Sequence, residues 1–194
     1  MISATNPLGQ VWSDEKNLDD FHPSEIVLPV GKKVRVRITS RDVLHNFYLP
    51  HFRVKMDAVP GMPTYFVFTP TTTTEEYRAK LGALNDRGEP QYPEWHAPLD
   101  PEDPEGPTKF EDFNFELACA ELCGKGHYAM RRAVRIVSEA EYKNWLSEQQ
   151  SYYDSTIKGT EDDPFAAETA EEEAELTDAS SIQEEAPEGD GSAE

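Results

Sequence analysis

Two thiols, an imidazole and a thioether fall within one stretch of this chain, Cys119-Ala-Glu121-Leu-Cys123-Gly-Lys-Gly-His127-Tyr-Ala-Met130, and these are its only two cysteines. Thiolate and thioether sulfur select copper(I) and other soft metals, and imidazole suits copper in either oxidation state. The loop is therefore expected to hold a soft metal, most simply copper. Two rival chemistries use the same residue types. The thiols could form a disulfide, although their spacing beside His127 and Met130 reads better as ligation. Two Cys with two His could instead hold a structural zinc in an interaction module, which would leave Met130 without a role.

A mononuclear blue-copper site takes one Cys, two His and a weak axial thioether. Cys123 adds a second thiolate four positions after the first. If both side chains point to one side of the loop, two sulfurs can bridge two copper ions, with one imidazole terminating each metal. Met130 sulfur and a backbone carbonyl would then be weak outer ligands. Sharing one unpaired electron over two bridged metals reduces the bond-length change on oxidation, so the chemistry implied is single-electron relay. The second imidazole must come from elsewhere. His45, in Asp42-Val-Leu-His45-Asn-Phe47, is the candidate, and sheet pairing must carry it to the loop.

The elements that could do this are strands. Val34, Val36 and Ile38 alternate with Lys33, Arg35 and Arg37, giving one apolar and one cationic face at period two. Residues 43–49 and 65–68 are further short segments rich in β-branched and aromatic residues, separated by the turn sequence Asp57-Ala-Val-Pro-Gly61. Asp57 is expected to bond within that turn. Strands are also predicted over 113–118, delivering the chain to Cys119, and over 133–137, just after Met130. Ser138 followed by Glu141 is a capping-box signature for a helix running to about Gln150, with Tyr142, Trp145 and Leu146 on one face. Between 69 and 110 the strand pattern lapses: residues 75–84 suit a short helix, and a proline-rich acidic excursion follows. Trp95 either anchors that excursion or docks on a partner. His22, His51 and His96 lack partners in sequence and are expected at the surface or in packing.

Short strands joined by turns, with a Cys, His and Met loop between the last two, predict an all-β fold: a cupredoxin-like Greek-key sandwich or barrel with a C-terminal helix. The expected organisation is a surface segment over residues 1–24, the metal domain over 25–150 with an insertion at about 80–110, and a disordered acidic tail over 151–194. From Thr160 onward there are 14 Asp or Glu and no Lys or Arg, a composition that self-repels and lacks apolar residues to bury. The formal charge of -20 argues against a nucleic-acid partner. No secretory signal opens the chain and no apolar run reaches the ~20 residues needed to span a bilayer.

Cys119-x-Glu121-x-Cys123-Gly124-x-x-His127-x-x-Met130 resembles the dinuclear copper A loop of cytochrome c oxidase subunit II. Asp42-Val-x-His45-x-Phe47 and Pro50-x-Phe52-x-x-Lys55-x-Asp57-Ala58-Val59-Pro60-Gly61 resemble that family's upstream segment. The likeness covers residues 26–145, interrupted by the insertion. It implies a cupredoxin domain holding two copper ions as the first electron acceptor of a haem-copper oxidase. Cys119 and Cys123 would bridge the coppers; His45 and Met130 would complete one, His127 and the Glu121 carbonyl the other. The Glu121 side chain would also reach a magnesium ion, only in the full complex. The implied enzyme is cytochrome c oxidase, with oxygen as final acceptor, and the domain alone is an electron carrier. Its implied partners are cytochrome c, or a fused or associated c-type haem domain, and oxidase subunit I. The location implied is the periplasmic side of a bacterial inner membrane, on a membrane subunit whose two helices and aromatic strand normally precede this region. Met62 departs from the arginine often found after the Pro-Gly turn. The copper A domain of nitrous oxide reductase is the related alternative; it typically has an aromatic residue at the position of Glu121.

Overall fold

The computed structural model describes Asn6 and residues 9–166. Within these residues the chain separates into a unit formed by Pro23–Glu148 and a second formed from the described residues before Pro23 and after Glu148.

The first unit is built from seven strands: β1 (Ile26–Pro29), β2 (Val34–Ile38), β3 (His45–Leu49), β4 (Val54–Ala58), β5 (Thr64–Phe68), β6 (Phe115–Ala118) and β7 (Arg131–Val137). Five form one sheet in the order β1-β7-β6-β3-β4, and β2 pairs with β5 in a second. The pairing of β1 with β7 is parallel; the others are antiparallel. This is the predicted mainly β, cupredoxin-like arrangement of two sheets. The alternation read in β2 is present: Arg35 and Arg37 are exposed and Ile38 is buried.

The core is the apolar face of these strands. Leu49, Val54, Phe115, Val134 and Ile136 are buried together, with Phe47, Phe52, Phe66 and Phe68 packed against them. Burying one such side chain contributes about 1.5–3 kcal/mol, so the sheet faces that flank the Cys119–Met130 loop are firmly set. The helix α1 (Thr74–Leu81) starts at a capping box in which Thr73 and Glu76 satisfy each other's backbone N–H. It is tied to the chain ahead of β6 by Arg78, whose Nε donates to Phe113 O at 2.7 Å. Buried Thr74 accepts the Ile136 N–H at 2.9 Å. The helix α2 (Glu139–Ser147) has the predicted Ser138–Glu141 box. It ends before Gln150, and Leu146, expected on the packed face, is 40% exposed.

Two local expectations change, and one open alternative is decided. The start of the strand predicted over 43–49 is a bend: Val43 and Leu44 are exposed, and pairing begins at His45. Asp57 stands inside β4 instead of a turn, opposite Asn46 of β3, and accepts from Asn46 Nδ2 at 2.7 Å. The proline-rich insertion is pinned: Trp95 packs edge-to-face on Phe113, and Phe110 N–H donates to Trp95 O at 3.0 Å. Gly82 lets it close, since a Cβ there would lie 2.8 Å from the Phe110 ring. Trp95 thus anchors the insertion. His51 packs against Tyr77, Phe113 and Phe115, and His96 against Phe110.

In the second unit, Trp12 stacks on Tyr152 with ring centroids 6.0 Å apart. The helix α3 (Tyr152–Thr156) buries Tyr153, and Ile157 is buried just after it. Residues 151–166 therefore carry structure inside the stretch expected to be tail. Residues 167–194, on which the rest of that expectation falls, lie outside the described residues.

Candidate metal centre

The loop that carries the candidate ligands is closed at its neck. The Cys119 N–H, one residue past β6, donates to Met130 O at 3.1 Å, one residue before β7. The antiparallel pairing of β6 with β7 fixes these two ends side by side. Inside the neck the chain reverses at Gly124, whose φ of 127° disfavours any side chain. His127 N–H then donates to Gly124 O at 3.1 Å, starting a single 3-10 turn over His127–Ala129. Cys123 and His127 are brought together by this reversal.

His45 arrives by the route the sequence required. It opens β3, and β3 lies beside β6 through the Tyr48–Ala118 pairing. Its Nδ1 is 3.9 Å from Cys119 Sγ. The two sulfurs are 3.7 Å apart, far beyond the ~2.05 Å of a disulfide, and both thiols are free. His127 Nδ1 is 3.6 Å and Met130 Sδ 3.4 Å from Cys123 Sγ. The Glu121 carbonyl lies 3.2 Å from Cys119 Sγ. Ligand atoms of His45, Cys119 and Cys123 all fall within 4.8 Å of one another. All six residues singled out in sequence therefore meet at one place, Glu121 through its backbone oxygen.

Asp42 is the contributor that sequence reasoning missed. Its Oδ1 lies 2.7 Å from His45 Nε2. That bond places the imidazole proton on Nε2 and leaves Nδ1 facing sulfur, the arrangement in which a carboxylate orients a metal-binding histidine. The His45 hydrogen bond holds the Asp42 carboxyl down at about 2, and the same bond raises His45 above its ordinary value. In sequence Asp42 stood only as a position of the block around His45, with no role of its own.

The two thiols are not equivalent. Burial pushes Cys119 up, but hydrogen bonds from the Glu121 and Asn46 backbones and from the His45 and His127 side chains outweigh it and lower the thiol to about 6. Cys123 is raised by burial and by its neighbour Cys119. Cys119 is thus the readier thiolate of the two.

Residues 14–77 match the family of the cytochrome c oxidase subunit II periplasmic domain. An alternative cytochrome c oxidase subunit 2 from Bradyrhizobium diazoefficiens is 35% identical over 153 residues, covering 78% of this chain and 41% of that protein. The chain belongs to the cytochrome c oxidase subunit II family. The cytochrome c oxidase subunit 2 of Thermostichus vulcanus is 31% identical over 127 residues, covering 66% of this chain and 27% of that protein. Among solved structures, the periplasmic domain of subunit II of cytochrome oxidase from Bradyrhizobium japonicum is 30% identical, with a TM-score of 0.42 over 64% of this chain and 62% of that one. The chain thus spans less than half the length of these curated relatives. Among the described residues no helix is long and apolar enough to cross a membrane.

Proposed function

We propose that this domain is the electron-accepting unit of a haem-copper oxidase, with a dinuclear copper A centre held by Cys119, Cys123, His45, His127, Met130 and the Glu121 carbonyl. The observation that carries it is the sulfur pair. Two thiols 3.7 Å apart, with His45 Nδ1 on Cys119 and His127 Nδ1 on Cys123, suit bridging sulfurs with one imidazole at each end. Such a separation allows an ion with bonds of about 2.3 Å to touch both sulfurs. The donor set fits copper because it is soft and includes a thioether.

When bound, the dinuclear centre supplies a one-electron redox couple shared between two metals. The chain's own residues set its conditions. Asp42 orients His45, and the closed neck of the loop keeps Cys119 and Met130 adjacent. The lowered Cys119 thiol offers a ready thiolate, and Cys123 releases its proton on ligation. The loop also presents Leu122, 89% exposed, and Tyr128, 82% exposed. Exposed apolar side chains next to ligands suit docking of redox partners. Cytochrome c, or an associated c-type haem domain, is the donor in this reading, and subunit I the acceptor, where the Glu121 carboxylate would meet magnesium. The place of work is the periplasmic side of a bacterial inner membrane.

The test is electron transfer in stopped flow, with reduced cytochrome c mixed with copper-loaded domain. Rapid oxidation of the haem supports the reading, and no transfer from any c-type haem rejects it.

A further inference from the structure

His45 is the first residue of β3, and the chain before it is an exposed bend. A ligand at the fraying end of a ladder has support on one side only, so whatever holds the next rung decides where it sits. That rung is Asn46 against Asp57. Asn46 is 5% exposed and donates from Nδ2 to Asp57 Oδ1 at 2.7 Å, a side-chain bond laid across the strand pair. The Asn46 backbone also hydrogen-bonds to Cys119. One residue is thus tied to β4 through its side chain and to the sulfur through its main chain.

A second observation points the same way. Asn46 Oδ1 is buried with no hydrogen-bond partner. Leaving such an acceptor unsatisfied costs about 1–3 kcal/mol, and flipping the amide would set that oxygen against the Asp57 carboxylate. The amide is therefore held for its donor, at a cost that a purely structural position would avoid with an apolar residue.

We propose that the Asn46–Asp57 hydrogen bond is the positioning device of the metal centre: it locks the start of β3 so that His45 and the Asn46 backbone meet Cys119 in a fixed geometry. Neither residue touches the metal. The inference rests on the copper reading, but half of its test does not.

Three variants of the full chain decide it. Asn46→Ala removes the donor and Asp57→Ala the acceptor. Asp57→Asn loses the same charge as Asp57→Ala yet keeps a carbonyl that can accept. In the metal-free chain, amide hydrogen exchange at His45 and Asn46 is expected to be about tenfold faster in both alanine variants, the equivalent of one lost hydrogen bond, and near wild type in Asp57→Asn. In the copper-loaded chain, the visible spectrum and reduction potential should shift in the alanine variants and stay close to wild type in Asp57→Asn. Equal effects in Asp57→Ala and Asp57→Asn would reveal a charge effect and overturn the proposal. Unchanged exchange in all variants would overturn it too. If Asn46→Ala does not fold, the exposed Asp57 pair carries the comparison alone. A wild-type chain that takes up no copper defeats the functional reading and leaves the exchange data to judge this one.

Discussion

Asp42 Oδ1 lies 2.7 Å from His45 Nε2, while the opposite ring nitrogen of His45 faces Cys119 Sγ at 3.9 Å. The carboxylate, the imidazole and the thiol are neighbours in sequence of contact, the ring lying between the other two. Removing the carboxylate should free the ring to rotate and to change tautomer. Asp42→Ala is expected to weaken copper binding about 10- to 100-fold, measured by competition with a chelator of known affinity. Because the Asp42 bond raises His45, the same variant should lower the His45 titration midpoint, read by NMR on the metal-free protein.

The unequal thiols predict how copper binding depends on pH. Cys119 is lowered to about 6 and Cys123 is raised from 9.0. At pH 7.5 the first is mostly thiolate and the second mostly thiol, so the pair should release about one proton on loading. Below about 6 both thiols are protonated and the release should approach two, with His45 adding to it. Affinity should therefore rise with pH, more steeply below 6 than above. Calorimetry in buffers of different ionisation enthalpy measures the proton count; a release independent of pH from 5 to 8 would refute the assignment.

The metal loop was legible because most of it is local. Cys119, Cys123, His127 and Met130 are covalently close, and no folding argument was needed to group them. His45 was harder to place and its block strengthened the choice, since the Tyr48–Ala118 pairing that delivers it leaves no trace in composition. The roles of Asp42 and Asn46 were hidden for the same reason: they depend on a bend and on strand register. Residues 26–29 carry too short a pattern to read as a strand by themselves, and β1 forms because β7, far along the chain, pairs with it in parallel. Residues 151–166 read as tail because Tyr153 and Ile157 are isolated apolar residues in a polar stretch, yet both are buried.

Gly124 tests the backbone of the loop. At φ 127° an alanine is strained, at a cost of about 1–3 kcal/mol. Because the reversal there sets Cys123 beside His127, Gly124→Ala should weaken copper binding and also lower the thermal unfolding midpoint of the metal-free chain by a few degrees. A variant that binds copper as tightly as the wild type would show that the reversal is not required.

Sulfur identity separates bridging from tuning. Cys119→Ser or Cys123→Ser should abolish the dinuclear spectrum, since each removes one of the two sulfurs 3.7 Å apart. Met130→Leu keeps both and should alter mainly the reduction potential, because a thioether is a weak outer ligand. An unchanged visible spectrum in Cys123→Ser would remove that residue from the centre.

The most direct measurement is the copper content and electron paramagnetic resonance spectrum of the reconstituted chain. Two coppers per chain, a purple colour and one unpaired electron shared equally by both nuclei are the predicted result. A colourless protein holding one zinc, or one copper with its spin confined to a single nucleus, would contradict the account.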